Sequence, residues 1–268
     1  MLASLRALWR YRDLVRNLVA RDLRIKYKGS SIGFAWSLFH PLILAAVYTF
    51  AFRYVIEVPI AHFPLFLLSG MLPWTFFSGA LAMATGAVAD NSSLVRKVAF
   101  PRIILPVAAV ASQFAQFALM YFVIIPAGAA LGPGASGALV ALVPVVLLQL
   151  VFTTGLALLL ATAYVYFRDT RHLLDVALQI LFWLTPVVYA ASLVPAGLRR
   201  LLWLNPMAGF VTTYHAIVVD GQWPSVQMLG VLALVSAIAA VAGVVPVPPP
   251  RPRCLWSGWL FPAGRPPR

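Results

Sequence analysis

Acidic residues are scarce in this 268-residue chain, which has seven Asp and Glu against 20 Lys and Arg. All seven (Asp13, Asp22, Glu57, Asp90, Asp169, Asp175 and Asp220) fall in loops or at the ends of apolar runs. No paired carboxylates are left to act as a general acid and base. Ion-coupled transporters bury ionisable groups at mid-membrane, and no apolar run here has one near its centre. The single cysteine, Cys254, excludes an internal disulfide and a cysteine–histidine metal cluster. His40, His62, His172 and His215 are scattered, and each reads as a solvated or hydrogen-bonded histidine. Neither H-E-x-x-H nor G-x-x-x-x-G-K-[ST] occurs, so the chain has no phosphate loop with which to hold a nucleotide. Uphill movement would have to draw its energy from another polypeptide.

Apolar residues, by contrast, make up 62% of the chain and charged ones only 10%, far from the balance of a water-soluble domain. The expected class is an all-α, polytopic membrane protein with a single transmembrane domain over residues 1–243. Six spans are expected, at about 33–56, 63–89, 103–131, 138–167, 173–191 and 226–247. A cleavable signal peptide is not expected, because the first apolar run begins after more than 30 residues. The net charge of +13 lies between the runs and not on a soluble basic domain, which argues for membrane lipids as partners and against nucleic acid. Counting from an internal N-terminus, 17 Lys and Arg fall on one side. Arg53, Arg199 and Arg200 alone fall at or beyond the other, so both termini are expected to be cytoplasmic.

Residues 1–28 alternate apolar and basic positions at helical spacing. Arg6, Arg10, Asp13, Asn17, Arg21, Arg24 and Lys28 share one face, and Leu8, Tyr11, Val15 and Leu18 another. This predicts an amphipathic helix in the membrane surface. Gly29, Ser30, Ser31 and Gly33 end it. Arg53 and Glu57, four apart, could pair at the outer boundary. The segment "DNSSLVRKVAFPRIILP" predicts a short amphipathic helix, capped by Asp90, Asn91 or Ser92 and stopped before Pro101. It is either a knob for a partner's groove or an ordinary basic turn. Residues 192–225 carry apolar pieces at 198–204 and 209–219 that are too short to cross, so two re-entrant helices are expected there. Pro41, Pro73 and Pro186 should bend their spans and leave freed carbonyls that must face protein or water. Residues 244–268 hold eight prolines in 25 positions and no acid, which reads as a disordered tail or as the product of a shifted reading frame.

Several motifs in order carry a resemblance: "RDLRIKYKGSSIGFAWSLFHPL", "LPWTFFSGAL", "NSSLVRKVAFPRIILP", "FRDTRHLLDVALQILFWLTPVVY" and "LNPMAGFVTTYHAIVVDGQWP". From Leu14 to Gly243 the chain resembles the permease subunit of type-2 ABC exporters of polysaccharides and polyol phosphates, the O-antigen, capsule and teichoic-acid type. The tail departs from the short, acid-containing tail usual in that family.

The resemblance implies a non-enzymatic permease of the bacterial plasma membrane that pairs with a second copy of itself and with two copies of an ABC ATPase. The chain itself would bind no cofactor, and ATP and Mg would enter through the ATPase. The substrate would be a lipid-linked glycan. Asn91, Leu94, Val95, Arg96, Lys97, Val98 and Phe100 match the family's coupling helix. Arg21, Arg24, Lys26 and Lys28 would lie at the cytoplasmic gate near the carrier's phosphates, although a plain topological role explains the same charges. Tyr48, Phe52, Trp74, Phe76 and Phe77 are candidates for stacking on sugars in the channel, or else are packing and lipid-facing residues. Two other functions stay open: export of drugs or small lipids, and a membrane enzyme or scaffold that transports nothing.

Overall fold

The structure is a computed structural model, and it describes residues 9–28, 35–55, 57, 60, 62–97, 100–131, 137–195, 197, 199, 202 and 204–244. Every regular element among them is helical. In chain order these are α1 (Arg12–Tyr27), α2 (Ala35–Thr49) with a π-helical extension (Phe50–Val55), α3 (Phe63–Asp90), α4 (Ser92–Lys97) and α5 (Ile104–Leu131). A 3-10 turn (Gly137–Ala141), α6 (Leu142–Tyr166), α7 (Thr170–Trp183), a second 3-10 turn (Ala191–Leu193), α8 (Pro206–Val218) and α9 (Val226–Val244) follow. Among the described residues, four helices are long and apolar enough to cross a membrane: Phe63–Asp90, Ile104–Phe122, Gly137–Tyr166 and Val226–Val244. The first expected span appears as the shorter apolar helix Pro41–Val55.

The centre of the molecule is α3, buried along most of its length and packed against α5, α6, α7 and α8. At 28 residues it is about 42 Å long, more than the hydrocarbon core requires. Pro73 interrupts its hydrogen-bond ladder, and side chains serve the carbonyls around it. Thr75 donates to the carbonyls of Met71 and Leu72, and Gln149 on α6 donates to the Pro73 carbonyl at 2.9 Å. Such internal satisfaction is what a broken ladder needs where water is absent.

α9 lies along α6 through one stripe of small residues, Ser236, Ala239 and Gly243, with Leu232 at its start. A side chain at Gly155 would run into the backbone of Ala239, and one at Gly243 into the backbone of Gly155. The two helices therefore meet backbone to backbone, the small-residue packing favoured where lipid gives no hydrophobic drive. Ser236 adds an interhelical bond to the Leu148 carbonyl at 2.9 Å.

The expected fifth span, 173–191, takes a different form: α7 stops at Trp183 and turns follow. Pro186 has no N–H to give to Phe182, and the Phe182 carbonyl accepts from Thr185 instead, at 3.2 Å. The expected Arg53–Glu57 pair is absent too. The helix ends at Val55, Glu57 takes a left-handed φ of 58°, and Arg53 donates to the Ile60 carbonyl at 3.3 Å. Of the two short outer pieces, 209–219 coincides with α8, while 198–204 and the tail at 245–268 lie largely or wholly outside the described residues.

Candidate functional site

The segment matched to a coupling helix is α4, six residues long and separated from the end of α3 by Asn91. Asn91 does not cap it through its side chain. Its Nδ2 donates back to the Ala87 carbonyl at 2.9 Å, while its own carbonyl accepts from Leu94 and Val95 at 3.0 and 3.1 Å. The loop is thereby tied rigidly to the end of α3. Leu94, Val95 and Phe100 are half-buried and rest on the core, so Ser92, Ser93 and Lys97 form the open surface. Val98 and the side chain of Arg96 lie outside the described residues.

The four basic gate candidates do not converge. Arg21 is exposed and pairs with its neighbour Asp22 at 2.9 Å, and Arg24 and Lys28 are exposed. Lys26 is exposed too, but its Nζ reaches α5 and donates to Gln116 Oε1 at 2.5 Å. Partial burial beside α5 lowers its pKa from the ordinary lysine value, because losing water disfavours the charged form. Leu18, eight residues earlier, is buried and shares a cleft of about 150 Å³ with Asp22, Asp90, Asn91, Leu105 and Ala108. Gln116 lies twelve residues into α5, about 18 Å along its axis. α1 thus packs against α5 with its C-terminal end beside the deeper part of that helix, and does not rest on lipid alone.

The aromatic candidates divide. Trp74, Phe76 and Phe77 are buried, with 3–7% of their surface exposed, and belong to the packed interior. Phe77 stacks on Phe152 at 5.8 Å, Phe76 on Phe117 at 5.1 Å, and Trp74 meets Phe182 at 5.7 Å. Their faces are taken up by other rings. Tyr48 and Phe52, 6.2 Å apart, are only half-buried.

Three interior contacts have no counterpart among the sequence-predicted site residues. Tyr214 on α8 donates to Gln149 Oε1 at 2.7 Å, so Gln149 joins α8 to the proline-interrupted part of α3. Asn205 donates to Thr185 Oγ1 at 2.8 Å and also caps α8 by accepting from the Met207 N–H at 3.0 Å. His215 is buried against Phe66, ring centroids 3.8 Å apart, with no hydrogen-bond partner at Nε2, and so is neither solvated nor fully satisfied. The usable signal was neutral polarity inside apolar runs, as in "SQFAQ" and "LLQL". Among the described residues, no group of three or more His, Cys, Asp or Glu side chains could hold a metal.

α4 is thus a short helix tied to the end of a buried central helix in an apolar helical bundle. The profile of the family described as ABC-2 type transporter matches residues 13–219. The chain belongs to the ABC-2 type transporter family. The O-antigen export system permease protein RfbA of Myxococcus xanthus is 35% identical to it over 240 residues, which is 89% of this chain and 92% of that protein. RfbA of Klebsiella pneumoniae is 28% identical over 210 residues, 78% of this chain and 81% of that protein. The polysialic acid transport protein KpsM of Escherichia coli is 20% identical over 234 residues, 84% of this chain and 88% of that protein. As an ABC-2 permease the chain is an integral membrane protein, and the family match runs from α1 through α8, both ends of α7 included.

Proposed function

We propose that this permease is the membrane-spanning subunit of an ATP-driven exporter that carries a lipid-linked polysaccharide or polyol-phosphate polymer across the bacterial plasma membrane. The observation that carries this reading is the 35% identity to an O-antigen export permease over nearly the full length of both chains. Two copies of the chain form the passage and two copies of an ABC ATPase dock beneath it. ATP and Mg are held by the ATPase, and this chain makes and breaks no covalent bond. Each chain crosses six times with both termini in the cytoplasm, α2 with its π extension and α7 completing the set. α8, at 13 residues about 20 Å long, enters the outer half of the membrane and returns.

The ATPase contacts α4 through Ser92, Ser93, Lys97 and Arg96. Leu94, Val95 and Phe100 hold α4 to the bundle so that a push on it moves α3. Arg21, Arg24 and Lys28, exposed and separate, meet the carrier's phosphates as individual surface charges. Tyr48 and Phe52 are the aromatic candidates with ring surface still available to sugars.

Deleting the gene and following the surface polymer tests the reading. The expected result is a glycan completed inside the cell and left on its lipid carrier, with export restored by the intact gene. Normal surface polymer in the deletion strain overturns it.

A further inference from the structure

α7 is held differently at its ends and along its length. Along its length the buried stripe is apolar, Leu174 and Leu178 with Phe182, and Phe182 meets Trp74 on α3. At the start the contact is an exposed ion pair, and just past the far end it is a buried hydrogen bond. At the start, Arg171 Nη1 lies 4.0 Å from Asp90 Oδ2, and Asp90 is the last residue of α3, just before the α4 segment. Gly86 makes that approach possible: a Cβ there would stand 2.6 Å from Asp90 Oδ2 and 3.4 Å from Arg171 Nη1. With no side chain at 86, the Asp90 carboxylate folds back over α3 and meets α7.

At the far end, Thr185 donates to the Leu181 carbonyl at 2.6 Å and accepts from Asn205 Nδ2 at 2.8 Å. Thr185 is fully buried and Asn205 is 8% exposed, so neither group has water as an alternative partner. Asn205 is also the N-cap of α8. Two proline-marked triplets, "LTP" at 184–186 and "LNP" at 204–206, therefore lock the end of α7 to the start of α8.

We propose that Asp90 with Arg171, and Thr185 with Asn205, are positioning pairs that make α7 a rod, carrying displacement of the α4 docking segment to α8 at the opposite face of the membrane. This rests on the reading of α4 as the ATPase contact. A 14-residue helix is about 21 Å long and stiff along its axis. A shift at Arg171 therefore reappears at Thr185. Through the cap, α8 tilts at its N-terminal end while Tyr214 holds its later part to Gln149.

The test uses the full permease with its ATPase, in cells lacking the native gene, with surface glycan measured on intact cells. ATP hydrolysis is then measured on the purified complex. Thr185→Val keeps the shape and removes the hydroxyl. Asn205→Asp keeps the capping acceptor and removes the donor. Each is expected to lower export about tenfold, the scale of coupling between distant sites. Hydrolysis and ATPase co-purification should stay within about twofold of wild type. Asp90→Arg and Arg171→Asp should each lower export, and the exchanged pair D90R/R171D should recover most of it. Export at the wild-type level in T185V and N205D overturns the proposal. So does a proportional fall of hydrolysis and export, or failure of the exchanged pair to recover. Should no ATPase co-purify with the wild-type permease, the functional reading fails instead, which is a separate result.

Discussion

Gln149 shows how much one neutral side chain can hold in a membrane interior. Its amide donates to the Pro73 carbonyl and accepts from the Tyr214 hydroxyl, and the residue is fully buried. Gln149→Leu fits the volume but leaves both partners unsatisfied, at a cost of about 1–3 kcal/mol for each buried polar group. The detergent-solubilised permease should melt several degrees lower, at about 2–4 °C for each kcal/mol. An unchanged melting curve would mean that Tyr214 and the Pro73 carbonyl find other partners. Lys26 makes a related point. Substitution by Met removes the bond to Gln116 and should weaken the hold of α1 on α5, whereas Arg24→Met removes no bond to α5 shown here and should leave it intact. Cysteines at 26 and 116, with Cys254 replaced, offer the check: the pair should cross-link in membranes, and a pair at 24 and 116 should not.

At the scale of elements, helix periodicity was the most readable property of the chain. The polar face assigned to α1 is the exposed one, and Tyr11, Leu14, Val15 and Leu18 are the side that packs. The apolar runs at 63–89 and 103–131 are each covered by one continuous helix, α3 and, from Ile104 on, α5. The end of α7 was less readable, because hydropathy continues through "LTPVVY" while Pro186 stops the helix. Hydropathy records what lipid tolerates, and a backbone break leaves it unchanged. The pairing of α6 with α9 was equally hidden, since Gly155 says nothing of its partner until Ala239 and Gly243 are placed against it. Gly155→Leu should force these helices apart, and overpacking of this kind costs about 1–3 kcal/mol or more. The expected outcome is a lower melting temperature and poor recovery from membranes. Gly197→Leu, where a Cβ meets nothing within 4 Å, should behave as wild type in the same measurement.

For the whole molecule, the distribution of charge and the distribution of contacts point to the same division into two ends. One end gathers α1, the end of α3, α4, the start of α5 and the start of α7, joined by the cleft around Leu18 and Asp90 and by the Asp90–Arg171 contact. The other gathers the start of α3, the start of α6 and α8, joined by Phe66 against His215 and by the packing of α8 on the first 3-10 turn. The first end carries the bulk of the Lys and Arg, which the positive-inside rule assigns to the cytoplasm. The candidate site was legible only in outline for this reason. Sequence order picked out the short helix after α3, but which of its faces is open depended on where Leu94 and Val95 came to rest. Orientation can be measured directly. With Cys254 replaced, a cysteine at Lys97 should react with an impermeant maleimide in inverted vesicles and not in intact cells. A cysteine at Glu57, which is exposed in the loop before α3, should show the opposite pattern. Labelling of position 97 from outside would invert the molecule. It would put the docking segment where no ATP is available and remove the physical basis for a permease driven from the cytoplasm.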